Sequence, residues 1–198
     1  MSELILIKKY KEPPVCNKEI LRYANVKSPN NEIINILNEC LNEVKDKLTY
    51  KVCYIKIPLS VNGKICDFGI FKVNSENLAI NLKDADEVII FAATVGIEID
   101  RLITKYSYIS PVKAVMLQAI GTERIEALCN AFCKDMAENF YGVLSPRFSA
   151  GYGDLPLETQ KEIFTILNCE KHIGLTLNES LIMSPTKSVT AFAGIKYK

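Results

Sequence analysis

Apolar residues recur along this chain with two different periods. Ile33, Ile34, Leu37, Leu41, Val44 and Leu48 fall at three- and four-residue spacing, which predicts one buried stripe on a helix of about five turns, with Ser28-Pro29 as its N-cap and first-turn pair. Helical spacing returns over residues 97–106 and again over 111–140, where Val115, Leu117, Ile120, Ile125, Leu128, Ala131 and Phe132 face a core. Gly121 inside the second stretch costs about 1 kcal/mol against Ala, so it marks close packing or a break. A shorter helix is predicted around Lys18 to Tyr23, after the Pro13-Pro14 break, and weak helical periodicity covers Ser75 to Leu82.

Strand signals lie between these helices. Residues 3–7 read as a short strand, and residues 52–58 alternate in β fashion. Asn62-Gly63 is a type I′ turn signal that predicts an antiparallel return through Lys64 to Lys72. Glu87 to Thr94 is a continuous apolar run of strand length, the mark of a strand covered on both faces, and Gly96 ends it. The segment from Ser145 to Leu157 holds two prolines and two glycines and is read as a loop; helix resumes over Pro156 to Leu167. Two β segments follow, Ser180 to Met183 and Ser188 to Ile195, separated by Pro185. Helices and antiparallel strands are grouped rather than alternating as βαβ, so the expected fold class is α+β: one domain over residues 1–198 with a mainly antiparallel twisted sheet and packed helices. No G-x-G-x-x-G follows a strand, which disfavours a Rossmann-type enzyme.

Composition narrows the function classes. Of 198 residues, 24 are Lys or Arg and 23 Asp or Glu, a net charge of +1, so no overall field draws the chain to nucleic acid or an anionic membrane. No apolar run approaches the roughly 20 residues that span a bilayer, and the chain is expected to be soluble, with no membrane partner. Seven cysteines without CxxC spacing fit reduced thiols packed as small hydrophobes, which points to the cytoplasm.

Unusual residue types crowd together in the loop Arg147-Phe148-Ser149-Ala150-Gly151-Tyr152-Gly153-Asp154. Gly151 and Gly153 permit positive φ and close approach of backbone N–H groups to a ligand. Arg147 offers a planar fork for a carboxylate, and Tyr152 a ring face that attracts a cation. Together they suit a zwitterionic ligand with one more positive charge. The competing reading is that Arg147 salt-bridges Asp154 and the glycines only shape a turn. His172, the single histidine, is read as a helix C-terminal residue, Cys129 and Cys133 as core packing, and Asp84 to Glu87 as a turn. Glu123 and Arg124 are read as a wet face of the long helix.

The string from Arg147 onward resembles the activation (S-adenosylmethionine-binding) domain of vitamin B12-dependent methionine synthase. That family has an R-x-x-x-G-Y loop, a helix, and then H-x-G-x-x-L-x-E-S-x-x-M-x-P-x-x-S-V. The chain supplies Arg147, Gly151 and Tyr152, then His172, Gly174, Leu177, Glu179, Ser180, Met183, Pro185, Ser188 and Val189. The resemblance is strong over 145–192, weaker over 85–140 and poor before residue 75, so residues 1–75 form a divergent part and 76–198 the part resembling the family.

The resemblance implies a reactivation component that binds S-adenosylmethionine and presents its methyl group to cobalamin held by a partner chain of methionine synthase, with flavodoxin or ferredoxin as electron donor. Arg147, Ser149, Gly151 and Tyr152 would contact the ligand, and Glu126 is the best match to a family glutamate on the preceding helix. No catalytic side chain or metal ligand of the chain itself is implied. The family also has an acidic ligand contact near its start and a later strand with a tyrosine pair; neither aligns here, and Tyr197 is not assigned to that role. A stand-alone activation chain is expected. Other readings are a non-catalytic docking module for a corrinoid protein, or an activator of another corrinoid methyltransferase.

Overall fold

The computed structural model describes residues 4–198, and its centre is the apolar run of the sequence. In chain order the elements are β1 (Leu6–Tyr10), α1 (Asn17–Tyr23), α2 (Asn31–Val44), β2 (Tyr50–Pro58), β3 (Ser60–Asn62), β4 (Ile65–Asp67), β5 (Lys72–Asn74), α3 (Glu76–Leu82) and β6 (Glu87–Thr94). They continue with α4 (Glu98–Ile109), α5 (Pro111–Asn139), β7 (Gly142–Leu144), α6 (Thr159–Leu167), α7 (Cys169–Ile173), β8 (Thr176–Leu177), β9 (Met183–Ser184) and β10 (Ser188–Tyr197). Five strands form one antiparallel sheet in the order β1-β2-β6-β10-β7.

Strand β6 lies in the middle and is apolar throughout because both of its faces are covered. Ile89, Phe91 and Ala93 point into a core built with α1, α2, α4 and α5. Val88, Ile90 and Ala92 point into a second core with α3, α6, α7 and the segment carrying Phe148, Ala150 and Leu155. The fold is a helix-covered antiparallel sheet within one α+β domain, as the grouping of elements implies.

Several local expectations are corrected. The first strand runs over Leu6–Tyr10 rather than 3–7, paired with Tyr50–Tyr54; residue 3 lies outside the described residues. Within this strand Lys8 and Tyr10 both donate to Asp135 on α5, each at 2.6 Å. The second helix begins after Asn30, whose side chain accepts from the Ile33 N–H at 2.9 Å, so Asn30 takes the capping role expected of Ser28-Pro29. It stops at Val44, and Leu48 packs on the core from the following connection.

The Asn62-Gly63 signal marks a hairpin, but one shifted by a residue. Asn62 pairs with Ile65, leaving Gly63 (φ +60°) and Lys64 as the turn. The hairpin belongs to a separate three-stranded sheet, β3-β4-β5, because β2 is already paired on both edges, with β1 and β6. Helix α6 starts at Thr159 rather than Pro156, and the expected strand at Ser180 to Met183 shrinks to β9, paired with β8. Strand β10 extends to Tyr197, and the short α7 follows Asn168 in the left-handed region (φ +44°).

The long helix α5 is unbroken at Gly121. A Cβ there would sit 2.9 Å from Lys187 Cγ and 3.0 Å from Ile99 Cγ1, so this glycine serves close packing. At about 1.5 Å per residue its 29 residues span about 43 Å, and it carries buried groups nearly all round its middle.

Phe192 on β10 stacks on Phe68 with ring centroids 5.2 Å apart and is fully buried in the second core. Phe192→Ala is expected to lower unfolding free energy by about 3–5 kcal/mol through cavity formation, measured by urea denaturation. A loss under 1 kcal/mol would contradict this packing.

Candidate functional site

The segment after β7 is held at three points. Ser145 accepts the Gly194 N–H on its Oγ at 2.9 Å and donates to Asn81 Oδ1 at 2.9 Å. Phe148 exchanges two backbone hydrogen bonds with Phe192, at 2.9 and 2.8 Å. Asp154 accepts from Ser75 Oγ at 2.5 Å, the Glu76 N–H at 2.7 Å and the Asn77 N–H at 3.1 Å, at the start of α3. The bend between these anchors is therefore a fixed feature of the fold.

The Phe148 bridge explains where Arg147 goes. Successive side chains of an extended segment point to opposite faces. Phe148 enters the second core, so the preceding Arg147 is directed to the α5 side. There its Nη2 donates to Glu126 Oε2 at 2.6 Å and its Nη1 to Asn130 Oδ1 at 2.8 Å. Glu126 and Asn130 are four residues apart on α5 and share one face. The guanidinium is thus spread between a carboxylate and an amide. The alternative pairing of Arg147 with Asp154 does not form, since Asp154 is committed to Ser75 and the α3 backbone.

Arg147, Glu126 and Asn130 line one wall of a cleft of about 490 Å³; Pro13, Pro14, Cys16 and Tyr23 form the facing wall. The N-terminal segment thus contributes a surface that motif spacing did not reveal. Asn130 was also missed, although its position one turn beyond Glu126 is a readable signal. The Arg147–Glu126 side chains are 23% and 39% exposed. An ion pair this open to solvent contributes only about 0.2–1 kcal/mol, so a ligand carboxylate and ammonium can exchange with it at little cost.

Ser149, Gly151 and Tyr152 are not part of this cleft's lining. Ser149 is half-buried, and its carbonyl accepts the Tyr152 N–H at 3.1 Å. The Gly151 N–H, expected to be free for a ligand, is bonded to the Leu155 carbonyl at 2.9 Å. Gly151 serves the bend itself: its φ is +83°, and a Cβ would lie 2.9 Å from Leu157 Cδ1. The Tyr152 side chain is 70% exposed and meets the edge of Phe148, with centroids 5.7 Å apart. The structure joins Arg147 to Glu126 and sets the other three candidates further along the same bend.

One more expectation changes with burial, and the readings of the cysteines and the histidine hold. Glu123 and Arg124 are not a wet face: they are 4% and 0% exposed and bonded to each other. Cys129 is buried and Cys133 half-buried, and burial pushes both thiols above their ordinary pKa, away from nucleophilic use. His172 lies in the last turn of α7, before Gly174 in the left-handed region.

The family model described as vitamin B12 dependent methionine synthase, activation domain, matches residues 75–196. A crystal structure of the MetH reactivation domain bound to AdoHcy superposes on the chain with a TM-score of 0.70 at 16% identity, covering 98% of this chain and 79% of that one. No curated protein matches.

The Asp154 anchor makes a pH prediction. Hydrogen bonds from Ser75, Glu76 and Asn77 outweigh partial desolvation and lower its pKa from 3.8 to about 2. A depressed carboxylate contributes stability that is present above pH 3.8 and lost as pH falls toward 2. Asp154→Asn is therefore expected to lower the Tm at pH 7, and the gap to wild type should close by about pH 2. A gap that stays constant with pH, followed by scanning calorimetry, would contradict this assignment.

Proposed function

The chain belongs to the activation domain family of vitamin B12-dependent methionine synthase, and from that membership we propose that it binds S-adenosylmethionine and supports reactivation of cobalamin held on a partner chain. The observation that carries this reading is the Arg147 fork, held between Glu126 and Asn130 at the edge of a cleft of about 490 Å³. The AdoHcy bound to the structurally similar reactivation domain supports the same ligand class.

An amino-acid zwitterion presents the same two charges that Arg147 and Glu126 present to each other. The ligand carboxylate takes the guanidinium, and Glu126, released from it, takes the ammonium. Each charge-assisted hydrogen bond formed away from water contributes about 1.5–3 kcal/mol, more than the exposed pair it replaces. Ser149 and Tyr152 are assigned to the sulfonium and nucleoside side of the ligand, on the bend that Gly151 shapes, where the exposed Tyr152 ring offers a face to a cation.

Cobalamin on the partner, reduced from the cob(II) to the cob(I) state by one electron from a flavodoxin or ferredoxin, would be the nucleophile that takes the methyl group, with S-adenosylhomocysteine as the leaving product. The chain's own residues place the sulfonium and exclude water, which requires no catalytic side chain. Among the described residues no helix is long and apolar enough to cross a membrane, and we assign the protein to the cytoplasm.

Calorimetry tests the binding claim. Arg147→Ala is expected to weaken S-adenosylmethionine affinity ten- to a hundredfold while leaving the Tm nearly unchanged, because the exposed ion pair contributes little to folding. No binding heat from the wild type at millimolar ligand, or equal affinities, would overturn the reading. In single-turnover methylation of reduced cobalamin on the partner chain, adding this protein with S-adenosylmethionine should accelerate the reaction; unchanged rates would remove the reactivation role.

A further inference from the structure

At the floor of the cleft, which Glu123 helps to line, lies a buried ion pair that the family motif does not include. Arg124 donates from Nε to Glu123 Oε2 at 2.5 Å and from Nη2 to Glu123 Oε1 at 2.7 Å. The same guanidinium reaches across to the N-terminal segment, donating to the Pro13 carbonyl at 2.6 Å and the Pro14 carbonyl at 2.8 Å. Glu123 Oε1 accepts the Cys16 N–H at 3.1 Å. Pro13, Pro14 and Cys16 all lie outside the 75–196 match, and all three line the cleft that holds Arg147.

We infer that Glu123 and Arg124 are positioning residues, which hold residues 13–16 against α5 as the second wall of the ligand cleft. This rests on the S-adenosylmethionine reading above and deepens it: the chain completes its pocket with its own N-terminal segment rather than with a partner. Two prolines suit the task. Neither has an N–H of its own to leave unsatisfied at the wall, their carbonyls accept from the guanidinium, and their fixed φ and rings give a rigid apolar surface toward the cleft. Arg124 is not among the residues lining the cleft, and Glu123 reaches its floor with both carboxylate oxygens already bonded to Arg124 and one of them also to the Cys16 N–H, so the pair acts through the backbone it fixes.

The exposed Cys16 thiol is a reporter on that wall, since the other six cysteines are buried or half-buried. In the wild type, saturating S-adenosylhomocysteine is expected to slow Cys16 alkylation at least tenfold. The double variant Glu123→Leu with Arg124→Met removes both buried charges at similar volume, a change that cores commonly tolerate. It is expected to keep a cooperative unfolding transition, bind S-adenosylhomocysteine at least tenfold more weakly, and lose the protection of Cys16. If the wild type binds ligand by calorimetry but Cys16 is alkylated at the same rate with and without it, the inference is overturned while the binding reading stands. It is also overturned if the double variant binds and protects like wild type. If the wild type binds no ligand, the underlying reading fails first. Should the double variant not fold, the wild-type protection experiment still decides.

Discussion

A guanidinium taken fully out of water has to find an acceptor for each of its donors, and much of this molecule's architecture follows from how Arg124 does so. Removing a charge from solvent costs several kcal/mol per ion even after relaxation, and a half-satisfied site is worse than an apolar one. Arg124 is completely buried, and its partners come from two places far apart in sequence: the neighbouring Glu123 on α5, and the carbonyls of Pro13 and Pro14. Glu12 stands 3.8 Å from the same guanidinium and accepts the Tyr50 hydroxyl at 3.1 Å, which extends the network to β2. The N-terminal segment is thereby tied to the helix that also carries Glu126 and Asn130.

The cleft is a meeting of that tie with a second constraint on the other side of the sheet. Phe148, Ala150 and Leu155 bury the glycine-rich bend in the core beneath α6, and the two-way backbone bridge to Phe192 sets its register. Alternation along an extended segment then leaves Arg147 facing α5. Two cores on opposite faces of one sheet therefore cooperate: one holds the bend, the other holds the wall, and the Arg147 side chain spans the gap between them.

Much of the fold was legible because its signals are periodic. The apolar run at Glu87–Thr94 became the central strand, and the stripe beginning at Ile33 became a helix, since burial on two faces and burial on one face leave different patterns. What failed were features decided by partners distant in sequence. The Asn62-Gly63 turn was real, but which strand β2 would pair with depended on β1 and β6, and a hairpin signal does not contain that information. In the site, Arg147 stood out by residue type and Glu126 by likeness to the family. Their contact, and the contribution of Pro13 to Tyr23, depend on helix α5 passing between segments more than a hundred residues apart. Glu123 and Arg124 were misread for the same reason: two adjacent charges on a helix look solvated until a third segment covers them.

The most direct test of this account is a crystal structure of the protein with S-adenosylhomocysteine. It predicts that the amino-acid end of the ligand lies between α5 and residues 13–23, with its carboxylate on Arg147 and its ammonium on Glu126 in place of their mutual ion pair, and that its nucleoside extends past Arg147 toward Tyr152. A ligand seated elsewhere, or one bound with the Arg147–Glu126 pair undisturbed, would contradict it.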